Sequence, residues 1–402
     1  AYVALPSAFF NISEIAVFGF PIIYNFTMAI PFILTPVVLT LISYIATASG
    51  LVPVVTQSVD WTVPILFSGY KATGSISGSI LQLINLVVGI CIYIPFIRRS
   101  EQKETAEFQQ IVRQMEQDME AGESSGNLPL FLSHKYPYNY YAKTLSLDLK
   151  NALHRGQVDF FYQPQISREG NIHGIEALLR WQHPVTGYIS PPVIFALAYE
   201  GGFLNELNSY LLNRACNDAR ILDPQLENDL ILSINISAKQ IEENGFFDNT
   251  YMVLKKTQLS RIHFALEITE RSAMKITDSL MDDIKKLQNN GISFSLDDFG
   301  MGHNSILYLQ EGIFDEVKLD GHLVTQLPGN GRSRDIISGI IRMARSLDLR
   351  ILAEYVETKE QRDILVELGC GFYQGYYYSR PLPMDKLVEY IKTAGNTAEG
   401  QR

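Results

Sequence analysis

Between Ala1 and Phe96 the chain carries three charged side chains, Glu14, Asp60 and Lys71. Nearly all the remaining charge of the 402 residues lies beyond that point. No single solvent suits both parts, so the first is expected in lipid and the second in water. Two uncharged runs, Thr27–Ser49 and Ile76–Ile97, meet the length of about 20 apolar residues that a bilayer crossing needs. Pro31 and Pro36 stand inside the first, where neighbouring helices can satisfy the carbonyls they free. The stretch between the runs is apolar but broken by Pro53, Asp60 and Pro64. It predicts irregular or re-entrant backbone covered by protein. Arg98 and Arg99 close the second run. An excess of Arg and Lys marks the cytoplasmic side, so everything after them is expected in the cytoplasm.

The formal net charge is -10. With no basic excess to pair with phosphates, a DNA or RNA polymer is a poor partner. Cys91, Cys216 and Cys370 form no close pair, which argues for free thiols in a reducing compartment. The sequence opens on Ala1 with no positive segment before its apolar run, so it is expected to be a piece of something longer or processed, without a signal peptide. From Arg98 to Gly122 the chain turns polar. Phe108, Ile111, Val112, Met115 and Met119 recur there at helical spacing, giving one apolar stripe. That stripe serves either to pack on the chain's own neighbour or to pair with a second copy. GESSGNLP then marks a flexible break.

Beyond about Leu145, eight strand-like runs alternate with helix-length stretches: 158–164, 173–181, 229–237, 263–269, 292–298, 314–320, 350–356 and 371–378. Eight such units in about 250 residues predict an α/β fold, a TIM-like (β/α)8 barrel, here preceded by an α-helical transmembrane segment and a helical linker. The organisation expected is a membrane region over 1–97, a charged connector over 98–143, the barrel over 144–394 and a disordered tail over 395–402. Glu176, Asn235, Glu267, Asp297, Asp298, Lys318, Glu354 and Gln374 each lie in or just past the apolar part of a run. In a parallel barrel those ends converge on one mouth, where active sites are built.

The chemistry of that mouth follows from its atoms. Glu176, Asn235, Glu267, Asp297 and Asp298 offer hard oxygen ligands and no thiolate, which suits Mg²⁺ or Mn²⁺ over zinc. Adjacent Asp297 and Asp298 diverge at a strand end, so each can serve a different ion. Two such ions clamp the attacking and leaving oxygens of a phosphoryl displacement. Lys318 is placed to polarise the attacking water or neutralise developing charge. Arg180 shares the face of Glu176 by the period of two and is a natural phosphate clamp. One carboxylate at a strand end is more often a helix cap or a surface charge, but so many at one mouth would be buried liabilities without cations.

Two resemblances add to this. EALLRWQHPVTGYISP, NIS, LEITE, DDFGMGHNS, VKLD, AEYVE and GYYYSRPLP, in this order over Leu145–Ile391, resemble the EAL-domain cyclic di-GMP phosphodiesterases of bacteria. The resemblance implies hydrolysis of cyclic di-GMP to linear pGpG with two divalent cations, Mg²⁺ or Mn²⁺, and a homodimer through the barrel. It places metal at Glu176, Asn235, Glu267, Asp297 and Asp298, and the ordering of the nucleophilic water at Lys318 and Glu354. It also implies contacts to the dinucleotide at Gln163, Leu178, Arg180 and Gln374, and support of the loop after Asp298 at Glu270. This sequence departs from the family at Met301, His303, Asn304 and Tyr355, where the family commonly has Gly at the last. Degenerate members of the family bind without cleaving, typically having lost metal ligands, and this chain keeps them all. Separately, NISEIAVFGFP, IPFILTPVV and GLVPVVTQSVDWTVPILFSGYKATGS resemble the C-terminal end of the enzyme IIC membrane domain of the lactose/cellobiose phosphotransferase family. That implies a sugar contact at Glu14, with Ile15 where the family has proline. Together the resemblances imply a multi-pass protein of the bacterial cytoplasmic (inner) membrane with its barrel in the cytoplasm.

Overall fold

Alternating apolar and polar positions at period two build strands whose outward faces are covered by helices. In the stretch 230–236, Leu230, Leu232, Ile234 and Ile236 are buried, while Asn235 points the other way and is half-buried. The computed structural model describes residues 25–60, 62–243, 245–269, 278–300, 309 and 312–399. Glu14, Glu270, Met301, His303 and Asn304 lie outside them. The chain forms two compact units, Ala1–Gln110 and Ile111–Arg402.

Among the described residues, nine strands form one sheet in the second unit: β1 (Val158–Ser167), β2 (Ile172–His183), β3 (Gly187–Ile189), β4 (Leu230–Ile236), β5 (Ile262–Thr269), β6 (Ser293–Phe299), β7 (Glu316–Leu319), β8 (Arg350–Ala353) and β9 (Phe372–Tyr373). Their order is β1-β9-β8-β7-β6-β5-β4-β2-β3, and β1 also pairs with β2, so eight strands close into a barrel with β3 as an addition to β2. The TIM-like barrel expected from the alternation is present. β2 and β4 through β9 run parallel. β1 runs antiparallel to both of its neighbours, with Val158 opposite Trp181 and Ser167 opposite Phe372. The direction of β1 departs from the all-parallel arrangement expected, because residue period encodes pleat and not strand polarity.

Leu266, Phe294, Leu296, Val317, Leu319 and Leu352 are fully buried, which fixes the barrel wall. Each such side chain contributes about 1.5–3 kcal/mol on burial. Helices are capped where the barrel turns back on itself. Ser237 and Gln240 form a capping box, as do Thr358 and Gln361, and Asn330 accepts from the N–H groups of Arg332 and Ser333. The two longer helices foreseen from the sequence run over Asp278–Gln288 and Gly331–Ser346. The last helix, Met384–Glu399, continues past residue 395, where the sequence places its tail.

The connector stripe is spent inside its own chain. Ile111, Val112, Met115 and Met119 are all buried. Glu116 Oε1 accepts the Ser190 N–H at 3.1 Å, and the Tyr136 hydroxyl donates to Asp118 Oδ2 at 2.8 Å. Both oxygens of Glu200 accept backbone N–H groups, from Phe131 and Leu132, at 2.8 Å each. Of the two uses foreseen for the stripe, packing on its own neighbour is the one observed. A homodimer therefore draws no support from it.

In the first unit, the helix Phe26–Ala48 is capped by Asn25, and a second apolar helix begins at Ile76. Both are long and apolar enough to cross a membrane by length and composition. Asn85 donates to Ser43 Oγ at 3.0 Å, tying them together. Among the described residues between them, the backbone is irregular except for a short helix, Phe67–Thr73. Gln82 Oε1 accepts the N–H groups of Leu66 and Gly69, at 3.0 and 2.9 Å, pairing two backbone donors of this segment.

Candidate active site

Register brings the acidic residues to one level of the barrel. Glu176 on β2 pairs with Gln163 on β1 and Ser233 on β4. Asn235 pairs with Glu267, and Glu267 with Ser295, so Asp297 stands one inward step higher on β6. Lys318 comes from β7, and Glu354 and Gln374 follow directly on β8 and β9.

Lys318 is the hub of this layer. Its Nζ lies 2.7 Å from Glu267 Oε2 and 2.7 Å from Glu354 Oε1, and 3.4 Å from both Glu176 Oε2 and Asp297 Oδ1. The lysine and Glu267 are fully buried, and Glu176, Glu354 and Asp297 nearly so. Burial alone would push the Lys318 ammonium down. Asp297, Glu176, Glu267 and Glu354 outweigh it and hold its pKa well above the usual lysine value. Burial drives Glu267 and Glu354 well above the carboxylate range, against the pull of Lys318. Glu176 goes the other way. Burial is offset by Lys318 and by hydrogen bonds from Gln374 and Asn235, and its pKa falls.

Amides organise the remaining oxygens. Asn235 Nδ2 donates to Glu176 Oε1 at 2.6 Å, and Gln374 Nε2 donates to Glu176 Oε2. Gln374 also meets Gln163 Oε1 at 3.3 Å, and Gln163 Nε2 donates to the Ser379 carbonyl at 3.1 Å. Gln165, which the sequence reading did not single out, is buried and donates to Gln374 Oε1 at 3.0 Å. Its signal was present in QPQ, where period two carries Gln163 and Gln165 to the same interior face.

The donor set fits divalent cations. Four buried carboxylates share one ammonium, an anionic excess that an interior does not tolerate uncompensated. Glu267 Oε1 is buried and has no hydrogen-bond partner among the described residues. Asp297, Asp298 and Glu354 bring one oxygen each within 4.8 Å of one another. Asp298 reaches this position with φ at +57°, in the left-handed region that few non-glycine residues occupy.

Around the layer, Leu178 is half-buried and lines a cavity of about 350 Å³ beside the mouth, with Asn235, Phe195 and Tyr199. Arg180 stands at the rim. Its Nη1 donates to the Leu179 carbonyl at 2.9 Å, and its guanidinium lies 5.3 Å from the Tyr188 ring centre. Tyr188 belongs to β3, which is too short to signal itself in the sequence. Of the site residues foreseen, eight are joined by hydrogen bonds or ion pairs at this mouth, Gln163, Glu176, Asn235, Glu267, Asp297, Lys318, Glu354 and Gln374; Asp298 lies beside Asp297 and Glu354, and Leu178 and Arg180 follow Glu176 along β2.

Residues 146–381 match the model of the EAL domain. The chain belongs to the EAL domain family. Over 245 residues, 61% of this chain and 36% of the relative, it is 35% identical to the bifunctional diguanylate cyclase/cyclic di-GMP phosphodiesterase MucR of Pseudomonas aeruginosa. Over 244 residues, 60% of this chain and 48% of the relative, it is 34% identical to the probable cyclic di-GMP phosphodiesterase PdeG of Escherichia coli K12. The matched EAL stretch thus spans less than half of these curated relatives. Among solved structures, the MucR phosphodiesterase in complex with cyclic di-GMP superposes with a TM-score of 0.57 at 35% identity, covering 61% of this chain and 99% of that one.

Proposed function

We propose that this EAL chain is a membrane-anchored phosphodiesterase that hydrolyses cyclic di-GMP to linear pGpG with two divalent cations. One observation carries the reading: Glu176, Glu267, Asp297 and Glu354 converge on Lys318 within 3.4 Å at the mouth of the barrel. The names of the relatives support the substrate. The two apolar helices support the anchor, with the membrane region over 1–97 and the barrel on the cytoplasmic side.

Glu176, Asn235, Glu267, Asp297 and Asp298 would hold the cations, either Mg²⁺ or Mn²⁺. When bound, such ions stabilise charge that builds on the phosphate oxygens. The other steps belong to the chain. Gln163, Leu178, Arg180 and Gln374 position the dinucleotide, with Arg180 presenting its fork at the rim. Lys318 and Glu354, 2.7 Å apart, order the attacking water. Water adds to phosphorus, the bond from phosphorus to the 3′ oxygen breaks, and the product keeps a 5′ phosphate and a free 3′ hydroxyl. Glu270 supports the loop after Asp298, and Glu14 contacts sugar if the membrane region retains the enzyme IIC function it resembles. Dimerisation through the barrel follows from the same family likeness.

The test incubates the detergent-solubilised full chain with cyclic di-GMP and Mg²⁺ or Mn²⁺, beside Glu176→Ala, and follows pGpG by chromatography. Metal-dependent product that is lost in the variant supports the reading. Binding of cyclic di-GMP with no product under either metal would make the chain a receptor instead.

A further inference from the structure

At the mouth, one exposed ring stands on a seat cut to its shape. Tyr355 follows Glu354, and its φ is +53°. A residue with a Cβ seldom adopts this conformation, and such strain persists where its surroundings over-determine it. Here they do. The Glu354 N–H donates to the Leu319 carbonyl at 3.4 Å, and the Val356 N–H donates to the Gln374 carbonyl at 3.0 Å. Glu354 and Val356 are buried, while Tyr355 between them is 59% exposed.

The seat is Gly321, buried at the start of the helix Gly321–Thr325 that follows β7. A Cβ placed there would lie 2.2 Å from Cδ2 of the Tyr355 ring, 2.5 Å from Cγ and 2.8 Å from Cε2. Space, not backbone conformation, is what this glycine provides. The ring also borders the site, since Tyr355 directly follows Glu354, whose Oε1 lies 2.7 Å from Lys318 Nζ.

We propose that the Tyr355 ring, seated on Gly321, is a stacking platform for a guanine base of the bound dinucleotide and sets the preference for a nucleotide-bearing phosphodiester. The inference rests on the phosphodiesterase reading above. A ring fixed by buried flanks has already lost the freedom that binding would otherwise cost. Stacking of a base on an aromatic side chain strengthens binding by roughly tenfold.

The experiment compares kcat/KM on cyclic di-GMP with kcat/KM on a diester without bases, bis(4-nitrophenyl) phosphate. It uses the solubilised full chain, Tyr355→Phe, Tyr355→Leu, Gly321→Ala and the double variant Gly321→Ala/Tyr355→Leu. The ratio of the two constants is expected to fall about tenfold in Tyr355→Leu and to stay within about twofold in Tyr355→Phe, since stacking of this strength changes binding by roughly that factor. Gly321→Ala is expected to lower the ratio by displacing the ring, and to lower it no further once the ring is gone. An unchanged ratio in Tyr355→Leu, or faster cleavage of the dinucleotide, overturns the platform. Should the wild type cleave neither substrate, the phosphodiesterase reading fails separately. Calorimetric Kd values for cyclic di-GMP in the same variants then decide: weaker binding in Tyr355→Leu alone keeps the platform, and equal binding sinks it.

Discussion

Gln165 donates its amide N–H to Gln374 Oε1 at 3.0 Å, and so decides which end of the Gln374 amide faces Glu176. An amide can present nitrogen or oxygen to a neighbour, and a carboxylate needs the nitrogen. Replacing Gln165 by Leu leaves a buried acceptor unpaired, at a cost of about 1–3 kcal/mol. Turning the Gln374 amide over to relieve it would set oxygen against Glu176. Gln165→Leu is therefore expected to weaken divalent cation binding by roughly tenfold, a loss at the small end of that energy range. Titration calorimetry with Mn²⁺ checks this without any turnover, and unchanged affinity would refute the relay.

Lys318 is the internal cation of a layer with four carboxylates. Removing one partner of a buried ionic cluster costs about 3–5 kcal/mol. Lys318→Met is expected to lose that much stability in chelator and to regain part of it on adding Mg²⁺, as the metal takes over the neutralisation. Denaturant melts with and without the ion measure both, and equal stability of variant and wild type in chelator would show that the carboxylates take up protons instead.

His173 offers a pH dependence away from the mouth. Its ring stacks on Phe372 with centroids 3.9 Å apart, and its Nε2 is buried with no partner among the described residues. Burial, then the Arg350 charge, pushes its pKa down to about 4 from the ordinary 6.5. The folded state thus binds fewer protons than the unfolded one below pH 6.5. The contribution is full above pH 6.5 and is lost progressively as pH falls toward 4. The gap in Tm between wild type and His173→Phe is expected to shift in the variant's favour across that window. A gap constant with pH would show that the ring stays neutral by other means.

Gly375 sits where strand β9 turns back under the mouth. A Cβ there would lie 2.2 Å from the Val356 carbonyl oxygen and 2.4 Å from its nitrogen, and backbone cannot yield as a side chain does. Gly375→Ala is expected to destabilise the fold by about 1–3 kcal/mol, in the range of overpacking. It should also weaken cyclic di-GMP binding by displacing Gln374. Loss of stability with intact binding would separate the two roles.

The eight barrel runs were legible because outward aliphatic residues and inward polar residues alternate, and the acidic strand ends were legible because charge is scarce elsewhere in those runs. β3 was not, since three residues after a turn carry no period. Gln165 showed in the period of QPQ as sharing a face with Gln163, but its role is fixed by Gln374 more than 200 residues away. Tyr355 stood out as unusual for its family, but its seat at Gly321 belongs to another strand's end. The connector stripe was visible as a face, and which surface covers that face is a tertiary fact the helical period does not encode.

Among the eight strands that close the barrel, β1 runs against the other seven, so its first residue, Val158, lies at the mouth opposite Trp181. A purely parallel barrel would receive its incoming chain at the floor, as far as the barrel allows from the chemistry. Here the chain that leads into β1 arrives on the side of the mouth, and five residues after Val158 it reaches Gln163, the partner of Glu176. The order of the chain therefore makes the entrance of the barrel and its acidic layer near neighbours in sequence as well as in space.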